Sequence, residues 1–240
     1  MAKHILVKKI YGLLLSLGAI FIITLLLDKF LGSDPNSSEQ ATLSQTHDFL
    51  SSKIVSTTYN QMDLSEIFDL AEEGDMYAQF LIAWKYYVGE DMPMDYEMAH
   101  KFFLLAGEQG EVNSQFTAAY MYQVGEGVDV DMQKAYKWYL RAAELDDAYS
   151  QYMLGQLFSL TDGYRLDYEE AFRWFKLASD NGFALAHYEL GLMYFYGIGV
   201  EKDHPMAKDF FILSVEGGEV EAYDILCSEF QLSFGQNNCV

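Results

Sequence analysis

Apolar residues return along this chain with a spacing longer than any one helix face. Ala135, Trp138, Tyr139 and Ala142 form an apolar stripe at helical spacing, and 36 residues later Ala171, Trp174, Phe175 and Ala178 form it again. The same offset reaches back to Ala99, Phe102, Phe103 and Ala106, and forward to Ala207, Phe210, Phe211 and Ser214. No insertion or deletion separates the four copies, and an aspartate precedes each, at Asp95, Asp131, Asp167 and Asp203. Such a period marks a solenoid, because a unit of that size cannot bury its apolar face alone and must stack on its neighbours.

Each unit reads as two helices. The first runs over 75–88, 111–124, 147–160 and 183–196, with small residues at Ala78, Ser114, Ser150 and Ala186 and again at Ala83, Ala119, Gly155 and Gly191. Small side chains there let helices approach closely, while Tyr86, Tyr122, Phe158 and Tyr194 fill the space beside them. The loops GEGVDVD at 125–131 and GIGVEKD at 197–203 supply glycine for a left-handed helix end and aspartate to cap the next helix. Glu170, three residues after Asp167, predicts a capping box. The first copy has Asp91-Met92-Pro93 in this loop and the third has Thr161 for the first glycine, which predicts reshaped loops. DLSEIFDLAEEG at 63–74 reads as a second helix without a partner, capping the start of the stack, and 219–230 reads as the opposite cap.

These residues resemble the SEL-one-like repeat (SLR), a relative of the tetratricopeptide repeat. Ala186, Leu190, Gly191, Tyr194, Gly197, Gly199, Val200, Asp203 and Ala207 carry the likeness in the fourth copy, and Lys134, Ala135, Trp138, Tyr139, Ala142 and Ala143 in the second. The resemblance covers about residues 65–230. It implies an all-α, right-handed α-solenoid of about four 36-residue helix-turn-helix repeats with caps. Such repeats serve many unrelated partners, so fold alone does not name the function.

One transmembrane helix is expected before the solenoid. Residues 10–27, IYGLLLSLGAIFIITLLL, carry no charge and approach the ~20 residues that cross a bilayer. Lys3, Lys8 and Lys9 precede them, so the positive-inside rule places 1–9 in the cytoplasm and makes 10–27 a signal anchor. A cleaved signal peptide is the alternative, although DKFLGSDP after the apolar run offers no small-x-small site and no lipobox cysteine. Residues 28–62 then read as a flexible linker, 63–230 as the solenoid and 231–240 as a tail. The expected location is the bacterial inner membrane, single-pass, with the repeats in the periplasm; a eukaryotic type II protein is the other option.

Charge divides with this boundary. The first 32 residues carry four lysines against one aspartate, a net of +3, and the remainder carries 11 Lys and Arg against 35 Asp and Glu, a net of −24. A domain this acidic repels nucleic acid and anionic headgroups and favours a protein partner with a basic surface. Cys227 and Cys239, the two cysteines, form a disulfide candidate that would close a loop worth ~3 kcal/mol. Some secreted SLR proteins carry a cysteine pair in each repeat and are linked with penicillin binding, and this chain lacks those pairs.

No catalytic, cofactor-binding or metal-ligating residue is singled out. His4, His47, His100, His187 and His204 are scattered, with no His-Glu-x-x-His or Cys-x-x-Cys among them. The four repeated aspartates supply one carboxylate per copy, too few for calcium, and suit helix caps. An enzyme is therefore not expected. A partner is expected on the first helices, which line the concave surface of such stacks. The residues chosen there are Tyr77, Trp84, Tyr87, Tyr120, Gln123, Tyr149, Gln156, Leu192 and Phe195, whereas Phe80, Phe116, Tyr152 and Tyr188 read as packing. The resemblance implies two specific uses. One is an immunity protein that neutralises a secreted toxin, such as a type VI phospholipase effector; the other is a scaffold or regulator of envelope assembly or signalling.

Overall fold

The computed structural model describes Tyr59 and residues 61–160 and 164–232. The expected anchor at 10–27, nearly all of the linker and residues 233–240 lie outside them. Among the described residues there are ten helices and no strand. They are α1 (Leu64–Glu72), α2 (Met76–Val88), α3 (Tyr96–Glu108), α4 (Val112–Val124), α5 (Met132–Ala143), α6 (Ala148–Ser159), α7 (Tyr168–Asp180), α8 (Ala184–Tyr196), α9 (His204–Glu216) and α10 (Ala222–Phe230). None of these helices is long and apolar enough to cross a membrane. Each packs on the next in chain order, most extensively within the pairs α2–α3, α4–α5, α6–α7 and α8–α9. That is the arrangement of a helical solenoid.

A ring against alanine or glycine sets the closeness of each pair. Phe103, Tyr139, Phe175 and Phe211 on the second helices are fully buried, and each follows a small residue of its own first helix by 20 positions: Ala83, Ala119, Gly155 and Gly191. A Cβ on Gly155 would stand 2.5 Å from the Phe175 ring, and one on Gly191 would stand 2.6 Å from Phe211.

The loops close by a repeated backbone bond. The N–H of Asp95, Asp131, Asp167 and Asp203 donates to the carbonyl of Tyr86, Tyr122, Phe158 and Tyr194, at 2.8–3.0 Å. Each carboxylate then accepts from the N–H three residues on, that of Met98, Lys134, Glu170 or Met206. The capping box expected at Asp167 is only half made, because the N–H that Glu170 would have to meet is already given to Phe158. Glu170 instead accepts from Arg173 at 3.0 Å. A complete box forms at Asp63 and Glu66, at the start of the stack.

The first loop is not reshaped, contrary to expectation. Asp91 takes a φ of +64°, in register with Gly127 at +67° and Gly199 at +69°. Aspartate tolerates this left-handed region better than most residues, and Lys85 holds its carboxylate at 2.6 Å. Gly127 has no such latitude, since a Cβ there would stand 2.3 Å from the carbonyl of Tyr96 at the start of α3. Below Asp91 the equivalent helix, α1, starts only at Leu64, in the register of His100. In the third copy, which has threonine at 161, α6 ends one residue early on an extended Leu160 instead of a left-handed glycine.

Buried amides join one unit to the next. Gln79, Gln115 and Gln151 donate from Nε2 to the carbonyls of Ala71, Gly107 and Ala143, at the end of the preceding helix. Gln109 caps the oxygen of Gln79 at 2.7 Å, and Asn181 caps that of Gln151 at 2.9 Å. The residue in that register between them is Leu145, and Gln115 Oε1 is buried without a partner. An orphaned buried acceptor carries a desolvation cost that its neighbours avoid.

Two stability outcomes follow from these contacts. Gly155→Ala gains up to ~1 kcal/mol of helix propensity but costs about 1–3 kcal/mol of overpacking. With the ring only 2.5 Å away, we expect the loss to win and Tm to fall by a few degrees in thermal melts; an unchanged or higher Tm would refute this packing. Leu145→Asn should restore the missing amide and raise stability by about 0.5–1.5 kcal/mol in urea titrations. A destabilised Leu145→Asn would show that the Gln115 oxygen is not a usable acceptor.

Candidate protein-binding face

The first helices of successive units lie side by side and present one stripe each. Phe116 on α4 lies edge-on to Tyr149 on α6 at 4.8 Å, and Gln156 on α6 donates to Glu189 on α8 at 3.0 Å. Within each stripe one aromatic turns inward. Phe80, Phe116, Tyr152 and Tyr188 lie 5.6–6.4 Å from the buried rings of Phe103, Tyr139, Phe175 and Phe211. The core of each pair therefore takes the residue that a partner would otherwise meet first.

The nine selected residues divide by what they touch. Trp84 and Tyr149 are the most open, at 45% and 46% exposure. Trp84 stacks on Tyr87 at 5.8 Å, and Tyr149 stands edge-on to Phe183 at 5.3 Å. Tyr87 is half-buried: its ring meets Tyr96 and Phe103, and its hydroxyl donates to Glu126 of the next unit at 2.9 Å. Tyr120 packs against the core of the second unit, and Tyr77 lies edge-on to Phe80. Gln123 accepts from the buried hydroxyl of Tyr139 at 2.8 Å, so its oxygen is committed inward. Gln156 is committed to Tyr152 and Glu189. Leu192 and Phe195 pack into the C-terminal cluster, where Phe195 meets His204 and Phe230. The structure thus brings Trp84 and Tyr87 together with Glu126, and Tyr149 with Phe116, Tyr152 and Phe183.

Burial tunes this face. It pushes the Tyr87 hydroxyl up to about 12, helped by the hydrogen bond to Glu126. Burial likewise pushes Tyr152 to about 12 and raises Glu189, against which the Gln156 and Tyr152 hydrogen bonds pull back. Sequence reasoning missed Glu126 and Glu189. Glu126 shares its register with Glu90 and Asp162 whereas Glu189 has no acidic counterpart, and each acquires its role from a residue of another unit.

His187 Nδ1 lies 2.9 Å from Ser179 Oγ, a pair that could suggest a nucleophile and its base. It occupies the register of the Gln79, Gln115 and Gln151 amides, so it reads as the fourth inter-unit staple. His100 is buried edge-on against Tyr122 at 4.6 Å, and burial lowers its pKa. Among the described residues no group of His, Cys, Asp and Glu is arranged to hold a metal. Cys227 lies on α10, and Cys239, the other member of the expected pair, lies outside the described residues.

The tyrosine shift has a pH consequence. A hydroxyl raised from the usual 10 to about 12 contributes stability that is complete below pH 10 and is lost as pH rises through about 12. Glu126→Gln should move the Tyr87 titration down towards 10. Carbon-13 NMR of labelled tyrosine, assigned with Tyr87→Phe, reads it directly, and a Tyr87 that titrates near 10 in the unaltered protein would contradict the contact.

Comparison with known proteins agrees with the architecture. A family model for the Sel1 repeat matches residues 77–111, 112–147, 148–183 and 184–219. The crystal structure of c5321, a protective antigen present in uropathogenic Escherichia coli strains and displaying an SLR fold, superposes with a TM-score of 0.66 at 30% identity. That match covers 69% of this chain and 36% of c5321, so this chain spans little more than a third of that protein. A Sel1 repeat protein from Oxalobacter formigenes superposes at 0.61 with 29% identity, covering 69% of this chain and 74% of the other. An immunity protein from Pseudomonas aeruginosa, Pa5087, is 22% identical over 63% of this chain and 69% of its own, with a TM-score of 0.35, too loose to carry an argument. No curated protein matches. With four consecutive matched units over more than half of its length, the chain belongs to the Sel1 repeat family, whose members are in general non-catalytic modules that bind other proteins.

Proposed function

We propose that this chain is a non-enzymatic inhibitor, tethered to the bacterial inner membrane by residues 10–27 with its repeats in the periplasm, and that it neutralises a secreted toxin by covering its active site. A phospholipase delivered by type VI secretion is the specific candidate. The observation that carries a binding role is the pair of open rings, Trp84 and Tyr149, at first-helix positions that the repeat does not need for packing. Aromatic side chains with few rotatable bonds make strong interface anchors once buried. The net charge of −24 after residue 32 supports a partner with a basic surface. Rim carboxylates would speed the encounter with such a partner more than they would tighten the complex. The charge-free run at 10–27 supports the membrane tether.

The partner decides between inhibitor and envelope scaffold. Photo-crosslinkers placed at Trp84 and Tyr149 of the full-length chain, in its native cells, should capture one stoichiometric toxin or lipase. A set of envelope proteins would establish the scaffold role and end the inhibitor reading. With the partner in hand, Trp84→Ala combined with Tyr120→Ala should abolish binding while circular dichroism keeps the helical signal. A folded double variant of unchanged affinity would remove this face from the interface.

A further inference from the structure

Two apolar registers of the repeat stay outside the core, and of their residues Tyr196 meets the first-helix face, edge-on to Phe195 at 5.0 Å. Val88, Val124, Leu160 and Tyr196 stand 36 residues apart at the ends of the first helices, and all are 43–61% exposed. Met94, Val130 and Leu166 occupy a second register in the loops that follow, at 58%, 59% and 49% exposure. The registers are neighbours. A Cβ on Gly89, next to Val88, would stand 3.2 Å from Met94 Cβ, and one on Gly125, next to Val124, would stand 2.9 Å from Val130 Cγ2. Only in the fourth copy does a polar residue, Lys202, take this place over its glycine.

The fold does not require these residues. Each of the loops at 125–131 and 197–203 sends one valine, Val128 or Val200, to pack against the core. Exposed apolar side chains scattered singly are ordinary, whereas seven of eight sites in two repeat registers form a contiguous feature. The first rung follows closely on the second, and the third on the fourth. Gly127 and Gly199 lie so close to the start of the preceding second helix that a Cβ would stand 2.3 Å from the carbonyls of Tyr96 and Tyr168. With neighbouring helices 8–10 Å apart, four rungs span roughly 30 Å, the length of about 20 residues of helix.

Charge along this edge is polarised. Glu90 and Asp91 flank Met94, with Lys85 offsetting one of them, and the exposed Asp129 precedes Val130. The third loop instead balances the exposed Arg165 against Asp167 at 3.3 Å, and the fourth carries Glu201 next to Lys202.

We propose that this loop edge is a second docking surface, independent of the first-helix face, and that its occupant is an amphipathic basic helix of a partner protein. The helix lies along the stack with its apolar stripe on the rungs. Its lysines or arginines gather towards the end that meets the first two loops.

The test uses the full-length chain in nanodiscs of zwitterionic lipid, with empty discs as baseline, and three fluorescent 20-residue peptides. One is a Leu/Lys amphipathic helix, one replaces its lysines with glutamates, and one replaces its leucines with serines. The Leu/Lys peptide should bind at least about tenfold tighter than either control, since burying two or three apolar side chains exceeds the free energy of a factor of ten. Val124→Ser combined with Val130→Ser should remove about tenfold of that affinity with helical content retained. Trp84→Ala with Tyr120→Ala should leave it unchanged. The proposal is overturned if the Ser/Lys peptide binds as well as the Leu/Lys one, or if the edge variant binds normally. It is equally overturned if the chain self-associates through this edge, which light scattering of the two proteins would show, because the occupant would then be a second copy.

Discussion

Helix pairs in this chain can close because a ring is allowed to lie on a residue with a single methyl or no side chain at all. Where Phe175 meets Gly155 and Phe211 meets Gly191, the approach leaves no room for a single methyl group. In the first two units alanine occupies the same position, fully buried, opposite Phe103 and Tyr139. The consequence reaches the surface. The buried ring takes a second aromatic from the first helix as its neighbour, so Phe80, Phe116, Tyr152 and Tyr188 become part of the core contact. The turns on either side of it are left to meet a partner, and Trp84 and Tyr149 stand there.

Loop closure has a similar division of labour. The aspartate N–H satisfies an aromatic carbonyl of its own first helix, while the carboxylate satisfies the first turn of the second. Both tasks fall to one residue, so closure asks no bond of the loop side chains at Met94, Val130 and Leu166. That freedom explains how Met94, Val130 and Leu166 can be apolar and outward at once. A surface held by helices and closed loops is pre-organised, and less ordering entropy opposes binding to it.

Periodicity made the architecture legible, because every copy repeats the small residue, the ring pair and the capping aspartate without a gap. The ends of the four first helices came within a residue of expectation for the same reason. What periodicity hides is competition for a single atom. The capping box failed because its N–H was promised to Phe158, a partner nine residues upstream that no capping pattern includes. Gln123 and Gln156 look like face residues by register, yet they turn to Tyr139 and to Tyr152 and Glu189, since a half-buried amide settles where its bonds are met. Phe195 is drawn into the cluster with Phe230 on α10, a cap helix outside the repeat register. The Gln79, Gln115 and Gln151 series was visible as a recurrence, but its meaning needed the carbonyl ends of the preceding helices beside it.

Comparing registers within the chain separates two kinds of surface. Trp84, Tyr120, Gln156 and Leu192 share one register and are four different residues, as are Tyr87, Gln123, Ser159 and Phe195 in another. A face that changes from unit to unit can match only a partner of particular shape, which is what selectivity for one protein demands. The loop edge does the opposite, since Val88, Val124, Leu160 and Tyr196 keep apolar character while varying in size. A uniform row of that kind fits a target that is itself uniform along its length, and a helix with one apolar stripe is such a target. The two faces therefore pose different recognition problems, and a partner engaging both would obtain selectivity from the aromatic face and added affinity from the edge.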